Sequence, residues 1–165
     1  MACDYQGELR GIVHAFKYDG RRSLARPLGR LLREAGAGLL AGADAVVPVP
    51  LHPWKRVQRG FNQSADLARA LELPVRFVLR RTRPTRTQAG LTPGQRRRNV
   101  SGAFALATWP WRSSRADVGG RTLVLVDDVM TTGATLDACA RVLKQAGARE
   151  VRVLTLARAL PPTWK

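Results

Sequence analysis

The sequence predicts an α/β protein in which helices cover the faces of a mostly parallel β-sheet. Short apolar runs rich in valine and leucine alternate along the chain with segments of helical periodicity, and this alternation is typical of parallel strands buried between helices. The 165 residues are 45% hydrophobic and contain no internal repeat. This size and composition indicate one globular domain spanning residues 1–165.

Two amphipathic helices are predicted near the N-terminus. Apolar side chains recur at helical spacing over residues 8–18 and again over residues 23–35. Asp19 and Gly20 lie between the two segments and favour a break there. The sheet is expected to begin only after these helices, in a core at residues 44–160.

In the middle of the chain, predicted strands and helices continue to alternate as far as residue 79, and the periodic pattern ends there. The predicted elements are a short strand ended by prolines at residues 45–49, a helix at residues 62–71 and a strand at residues 75–79. Residues 80–100 are basic and show little periodicity, so no regular element is predicted for them.

The last part of the chain predicts a strand, a helix and a second strand. Residues 122–126 form a buried strand, residues 136–146 a helix that ends at Gly147, and residues 151–156 the final strand. Residues 109–120 and the tail from residue 161 lack a pattern, and we expect them to be disordered.

The net charge of +16 indicates an anionic partner. Arginine supplies nearly all of it, and no acidic residue occurs in residues 73–116. Guanidinium groups bind phosphates of small molecules and the backbone of nucleic acids equally well. The alternative is a solvated basic face that reflects an arginine-rich proteome and binds nothing in particular.

Membrane, secreted and zinc-binding classes receive no support. The sequence contains no apolar run long enough to span a membrane and no apolar stretch typical of a signal peptide near its N-terminus, so we predict a cytoplasmic protein. Cys3 and Cys139 are the only cysteines, and neither has another Cys or a His at metal-ligand spacing. We therefore predict no disulfide framework and no zinc site.

The segment LVLVDDVMTTGATL, residues 123–136, predicts a ligand site. Asp127 and Asp128 follow a buried strand, and open α/β sheets bind ligands at the carboxyl ends of their strands. The hydroxyl-rich loop that follows precedes a helix, whose N-terminus favours a phosphate. Carboxylates suit sugar hydroxyls or a divalent cation, so we expect a sugar phosphate. The alternative is a threonine N-cap beside two solvated acids.

The same segment resembles the phosphoribosyl-pyrophosphate signature of type I phosphoribosyltransferases. Further motifs, in the same order along the chain, resemble the ComF family of competence-associated proteins within that superfamily. They are FKYDG (16–20), VVPVPLHP (46–53), RGFNQSADLA (59–68), TQAGLTPGQRRRNVSGAF (87–104) and VLTLAR (153–158). The resemblance implies the type I phosphoribosyltransferase fold, with residues 1–40 as a helical hood.

The resemblance also implies roles for the acidic pair and its loop. In the family, the positions of Asp127 and Asp128 contact the ribose 2′- and 3′-hydroxyls, often with Mg²⁺ nearby, and we assign both to catalysis. The loop wraps the 5′-phosphate of the substrate. In this chain its residues are Met130, Thr131, Thr132, Gly133, Ala134 and Thr135.

Two more segments take their roles from the family. Residues 48–56, with Val49 and Pro50, fall at the pyrophosphate loop, and the helix just beyond it carries Arg59, Asn62 and Gln63. Residues 81–99 occupy the position of the mobile catalytic loop. Within that loop Gln88, Arg96 and Asn99 match family positions, and Arg96 is the arginine expected to stabilise the leaving group.

These assignments predict binding of phosphoribosyl pyrophosphate with Mg²⁺ and transfer of the phosphoribosyl group to a nitrogen acceptor that the sequence does not name. Magnesium is the predicted cofactor. Full-length ComF members usually carry a cysteine-rich zinc module, and no such motif occurs among these 165 residues. The alternative function is a non-catalytic module that binds single-stranded DNA or a protein of the DNA uptake machinery; a homodimer is compatible with both.

Overall fold

The computed structural model describes residues 3–4, 7–18, 21–51, 57, 60–83, 94–95, 100, 102–109 and 112–159. Helices and short strands alternate along the chain as the sequence predicts. In chain order they are β1 Cys3–Asp4, α1 Gly7–Tyr18, a 3₁₀ turn Arg22–Leu24, α2 Ala25–Ala35, α3 Ala37–Leu40, β2 Ala45–Pro48, α4 Gln63–Arg69, β3 Leu79–Arg81, β4 Phe104–Leu106, β5 Thr108–Trp109, β6 Arg112–Ser113, β7 Thr122–Met130, α5 Ala134–Gln145 and β8 Glu150–Arg158.

Four strands form one parallel sheet in the order β1-β8-β7-β2. Every pairing between neighbours is parallel, and an isolated parallel bridge joins Val75 to Val46 at the outer side of β2. Two small antiparallel pairs, β3 with β4 and β5 with β6, lie outside this sheet. The predicted α/β class with a mostly parallel sheet is confirmed.

The two faces of the sheet bury different sets of residues because strand side chains alternate. Ala45, Val47, Leu123 and Leu125 pack with α5 and with the β3–β4 pair. The alternate positions pack with α1, α2 and α4; they are Val46, Val124, Val126, Leu154 and Leu156. The sheet is thus the middle layer, and residues of both ends of the chain bury it.

Close packing between α2 and α4 depends on Gly29. A Cβ at this position would clash with Cβ of Ala70, just beyond the end of α4. α1 and α2 themselves cover a face of the sheet through Phe16 and Leu32. The proposed role of residues 1–40 as a hood over a ligand stays a prediction.

Two predictions about local structure are wrong. Residues 75–79 do not form a strand: only Val75 bridges to β2, and regular pairing begins at Leu79, where β4 provides a partner. The described part of residues 109–120 is ordered: Ser114 Oγ donates to the Ala107 carbonyl at 2.6 Å, and Val118 is fully buried. The pairing of β5 with β6 and the backbone hydrogen bonds of Val118, Gly119 and Gly120 also hold this segment, which has no periodic pattern in the sequence.

Several element boundaries also differ from the predicted ones. α2 begins at Ala25 after a 3₁₀ turn, and Pro27 falls in its first turn, where a missing N–H removes no helical hydrogen bond. β7 continues to Met130, because β8 runs alongside it as far as Arg158. Among the described residues, no helix is long and apolar enough to cross a membrane.

Candidate functional site

The site lies where β2 and β7 run side by side and end. From β2 the chain continues to Val75 on the outer side of the strand, whereas all later strands of the sheet lie on the other side. This reversal is a topological switch point, and the connections that leave the two strands diverge there and open a crevice. Val49 N donates to the Val126 carbonyl at 2.9 Å, which holds the two strand ends together.

The first turn of α4 joins these two strands. Asn62 caps the helix, because its Oδ1 accepts the Ser64 N–H at 3.1 Å. Its Nδ2 donates to the Val49 carbonyl at 3.1 Å. Ser64 Oγ donates to Oδ1 of Asp127 at 2.8 Å, across 63 residues of sequence. α4 therefore positions one of the two predicted acids relative to the end of β2.

Asp127 and Asp128 both lie near the carboxyl end of β7, as predicted, although the strand continues two residues past them. Asp127 is half-buried, and its Oδ1 also accepts the Asp128 N–H at 3.0 Å. Asp128 is 8% exposed, and its Oδ1 accepts the Val129 N–H at 2.6 Å. These N–H and hydroxyl donors fix the two carboxylates in position at the edge of the crevice.

The opposite layer of the protein also reaches Asp127. Burial lowers the pKa of the Arg81 guanidinium, while the nearby Cys139 and Asp127 act in the opposite direction. Burial raises the pKa of the Cys139 thiol far above its ordinary range; Asp127 adds to this rise and Arg81 opposes it. Cys139 is fully buried in α5. Asp127 is thus bonded to α4 in one layer and interacts electrostatically with Arg81 of β3 and Cys139 of α5 in the other.

The loop between β7 and α5 has the geometry of an anion site. Gly133 is the N-cap of α5 and adopts φ 75° and ψ −3°, the left-handed region. Thr131 and Thr132 are exposed, and Ala134 is buried at the start of the helix. The first N–H groups of a helix and adjacent hydroxyls favour a phosphate. A glycine adopts this conformation without the strain that a Cβ would introduce.

A divalent cation would find hard oxygen ligands here but no complete cage. The carboxylates of Asp127 and Asp128 are the type of donor that Mg²⁺ prefers. No group of three or more His, Cys, Asp and Glu side chains that could hold a metal occurs within the described residues. This arrangement fits Mg²⁺ better than zinc, because Mg²⁺ is usually held by one or two carboxylates together with water and substrate phosphates.

The predicted site residues divide into two groups. The structure brings together Asp127, Asp128, Asn62, the loop from Met130 to Thr135 and Val49, whose carbonyl takes part through Asn62. Pro50 and buried Gln63 flank them. The other predicted residues lie outside the described part of the chain: Arg59, Gln88, Arg96 and Asn99.

Sequence reasoning did not place Ser64 or Arg81 beside the acidic pair. Ser64 lies inside the motif RGFNQSADLA, and its position two residues after a capping Asn could have indicated a first-turn hydroxyl near the crevice. Arg81 was predicted to open the mobile loop, whereas it is the last residue of β3 and is partly buried. Only its burial and its neighbours distinguish it from the many other arginines.

Similar proteins show the family of this chain. Residues 58–162 match the family described as the phosphoribosyl transferase domain. The chain is 36% identical over 158 residues to competence protein F of Haemophilus influenzae. This alignment covers 90% of the present chain and 67% of that protein. It is also 36% identical over 170 positions to DNA utilization protein YhgH of Escherichia coli O6:H1. This alignment covers 95% of the present chain and 70% of that protein.

A solved structure supports the same fold. The allosteric regulatory enzyme of purine biosynthesis superposes with a TM-score of 0.51 at 25% identity, over 82% of this chain and 26% of that one. This chain therefore spans about a quarter of that protein. The family match covers more than half of the present chain, and the competence and DNA utilization proteins align with nearly all of it. The chain belongs to the ComF family of type I phosphoribosyltransferases.

Proposed function

We propose that the protein binds phosphoribosyl pyrophosphate with Mg²⁺ and transfers the phosphoribosyl group to a nitrogen acceptor. The observation that carries this proposal is the placement of Asp127 and Asp128 beside a phosphate-type loop at the switch point of the sheet. Anionic carboxylates accept hydrogen bonds from sugar hydroxyls, and the start of α5 attracts the 5′-phosphate. A ribose phosphate offers both groups at once.

The proposed reaction requires the protein mainly to stabilise the charge on the leaving group and to exclude water. The bond between C1′ and the pyrophosphate oxygen breaks with its electron pair on oxygen, while the acceptor nitrogen bonds to C1′ and loses a proton. Mg²⁺, when bound, supplies positive charge to the departing pyrophosphate. Arginines in the segment predicted as a lid, Arg96 among them, would add to this stabilisation, because guanidinium groups bind phosphate oxygens in pairs.

Calorimetric titration with phosphoribosyl pyrophosphate, in the presence and absence of Mg²⁺, tests the proposal. We expect Mg²⁺-dependent binding, and we expect Asp127→Asn and Asp128→Asn each to reduce its free energy by about 1–3 kcal/mol, the scale of a lost charged hydrogen bond. Thermal stability of the free variants should hold or rise, since removing one of two adjacent charges relieves repulsion.

Glu150→Gln is the control for these variants. Glu150 is an exposed carboxylate at the first position of β8, at the opposite end of the parallel strands from the crevice, and it pairs with Arg152 at 3.0 Å, so its substitution removes the same charge away from the acidic pair. Its binding should equal that of the unmodified chain. Equal losses in all three variants would mean that net charge alone governs binding, and absence of binding to the unmodified chain would reject the proposal.

A second candidate function is a non-catalytic module that binds single-stranded DNA. The net charge of +16 favours it, and one similar protein is named for DNA utilization. The two functions differ in their dependence on salt. Binding to the nucleic-acid backbone releases counterions and weakens steeply as salt rises, whereas a preformed phosphate loop with Mg²⁺ should be less affected.

A further inference from the structure

The hydrogen bond between Ser64 and Asp127 connects two layers of the protein. Strand alternation places Asp127 on the face of β7 that α5 and the β3–β4 pair cover. Ser64 belongs to α4, which packs on the opposite face of the sheet. β2 ends at Pro48, in register with Val126, so the strand beside β7 stops one residue before Asp127. The Ser64 hydroxyl reaches the carboxylate at this gap, at 2.8 Å.

The position of Ser64 in the first turn of α4 directs its hydroxyl away from the helix. A serine inside a helix often donates back to a carbonyl three or four residues earlier. For Ser64 those residues are Phe61 and Gly60, and both precede the cap Asn62. The side chain is only 4% exposed, so water competes little for the hydroxyl. The bond to Asp127 is therefore a fixed contact of this turn.

Arg81 attracts the same carboxylate from the other layer. Burial lowers the pKa of the Arg81 guanidinium, and Asp127 opposes this decrease, as an attractive charge does. An aspartate has staggered χ1 rotamers and a broad χ2, so its carboxylate can turn between neighbours. Ser64 of α4 and Arg81 of β3 thus pull one side chain toward opposite layers of the protein.

We propose that Ser64 is a positioning residue, which holds the Asp127 carboxylate at the crevice, where it accepts the ribose hydroxyls, and keeps it from turning toward Arg81. This inference rests on the proposed function, because it names a residue that prepares the acid for the same ligand. Without the hydroxyl the carboxylate populates several orientations. Only a fraction of the molecules is then ready to bind, and the apparent affinity falls by that fraction.

Ser64→Ala tests the proposal because it removes only the hydroxyl. The helix cap survives, since Asn62 Oδ1 accepts the backbone N–H of residue 64, and alanine favours a helix. We expect the affinity for phosphoribosyl pyrophosphate with Mg²⁺, measured by calorimetry, to fall about tenfold, the scale of one lost hydrogen bond to a charged group. In the free chain, the NMR coupling constants between Hα and Hβ of Asp127 should change from those of one χ1 rotamer to averaged values.

A double-mutant cycle with Asp127→Ala shows whether Ser64 acts through the acid. If it does, Ser64→Ala should weaken binding about tenfold in the unmodified chain and less than about twofold in the Asp127→Ala variant. Equal losses in both backgrounds would overturn the proposal, because Ser64 would then affect the ligand independently of Asp127.

Thr122→Val is the matched control for loss of a buried hydroxyl. Thr122 is 1% exposed and begins β7, at the opposite end of the strand from Asp127. Its Oγ1 accepts hydrogen bonds from Nε and Nη2 of Arg149 at 3.1 and 2.9 Å. Chemical denaturation should show a loss of stability comparable with that of Ser64→Ala, while ligand affinity and the Asp127 coupling constants stay unchanged. An equal loss of affinity in Thr122→Val would overturn the proposal, because lower stability alone would explain it.

The possible results separate this inference from the proposed function. If phosphoribosyl pyrophosphate does not bind to the unmodified chain, the proposed function is rejected and the inference with it. If the unmodified chain binds and Ser64→Ala binds equally well, the inference alone is rejected. Unchanged coupling constants of Asp127 in Ser64→Ala reject it as well, because the carboxylate then keeps its orientation without the hydroxyl.

Discussion

At Gly133 the chain turns from β7 into α5 in the left-handed conformation. The φ of 75° is one that residues with a Cβ rarely adopt, while the space around a Cβ there is open: the nearest atom is Met130 Sδ at 3.8 Å. In the free protein, the backbone conformation requires a glycine at this position, whereas the space around it would accommodate a Cβ. The conformation brings the exposed Thr131 and Thr132 to the N-terminus of α5, where a phosphate would lie.

Substitutions at Gly133 should distinguish the effect of backbone strain on stability from the effect on ligand binding. Gly133→Ala should lower the free energy of unfolding by about 1–2 kcal/mol, and Gly133→Asn by less, because Asn tolerates the left-handed region. Gly133→Val should abolish binding of ribose 5-phosphate while the chain still folds. Chemical denaturation and calorimetry measure the two effects. Unchanged affinity in the valine variant would contradict the assignment of the loop.

Among the elements, the β3–β4 pair connects the site to the segment predicted as a lid. Arg81 pairs across the ladder with Phe104, and its guanidinium lies 5.3 Å from the centroid of that ring. Pairing continues past the strand, because Thr82 N and Oγ1 donate to the Ala103 and Gly102 carbonyls. Arg81 also interacts electrostatically with Asp127, so a charge bound at the acidic pair should influence the end of this hairpin.

Ligand binding should therefore change protection in the hairpin. We expect saturating phosphoribosyl pyrophosphate with Mg²⁺ to slow hydrogen exchange of the Thr82 and Ala107 amides, which bond to Ala103 and Val78, because closure of a lid orders the strands that frame it. The Val118 amide, bonded to Arg115 in the turn before β7, is a reference that should not change. Equal exchange in both states would contradict a lid at residues 81–99.

For the whole molecule, the arginines that produce the net charge of +16 fall into two groups. Some arginines are tied to carboxylates, as Arg141 is to Asp137 and Arg152 to Glu150. Such exposed pairs contribute little to stability. Arg22 and Arg69 form the other kind of group, since they share the single carboxylate of Asp66. A surface with this excess attracts any polyanion over a range set by salt.

Salt should divide the ligands of the protein into two classes. The affinity for an unphosphorylated single-stranded oligonucleotide should fall steeply between low and physiological salt, because each phosphate contact releases a counterion. The affinity for phosphoribosyl pyrophosphate with Mg²⁺ should fall much less. Fluorescence anisotropy and calorimetry over one salt series measure both. Parallel slopes would mean that both ligands bind by net charge and would contradict a preformed phosphoribosyl site.

The sequence by itself determined the α/β class, the family, the acidic pair and the loop before α5. These features are local: strand and helix periodicity, Asp127 beside Asp128, and a glycine at a helix start are all visible in a short window. The tertiary structure decided what lies close across long separations, such as Ser64 on Asp127 and Arg81 beside the acid. It also decided that residues 75–78 make only a single bridge, that regular pairing begins at Leu79, and that β1 pairs with β8. A short apolar run becomes a strand only if a partner with free backbone groups lies beside it, and no local pattern records that partner.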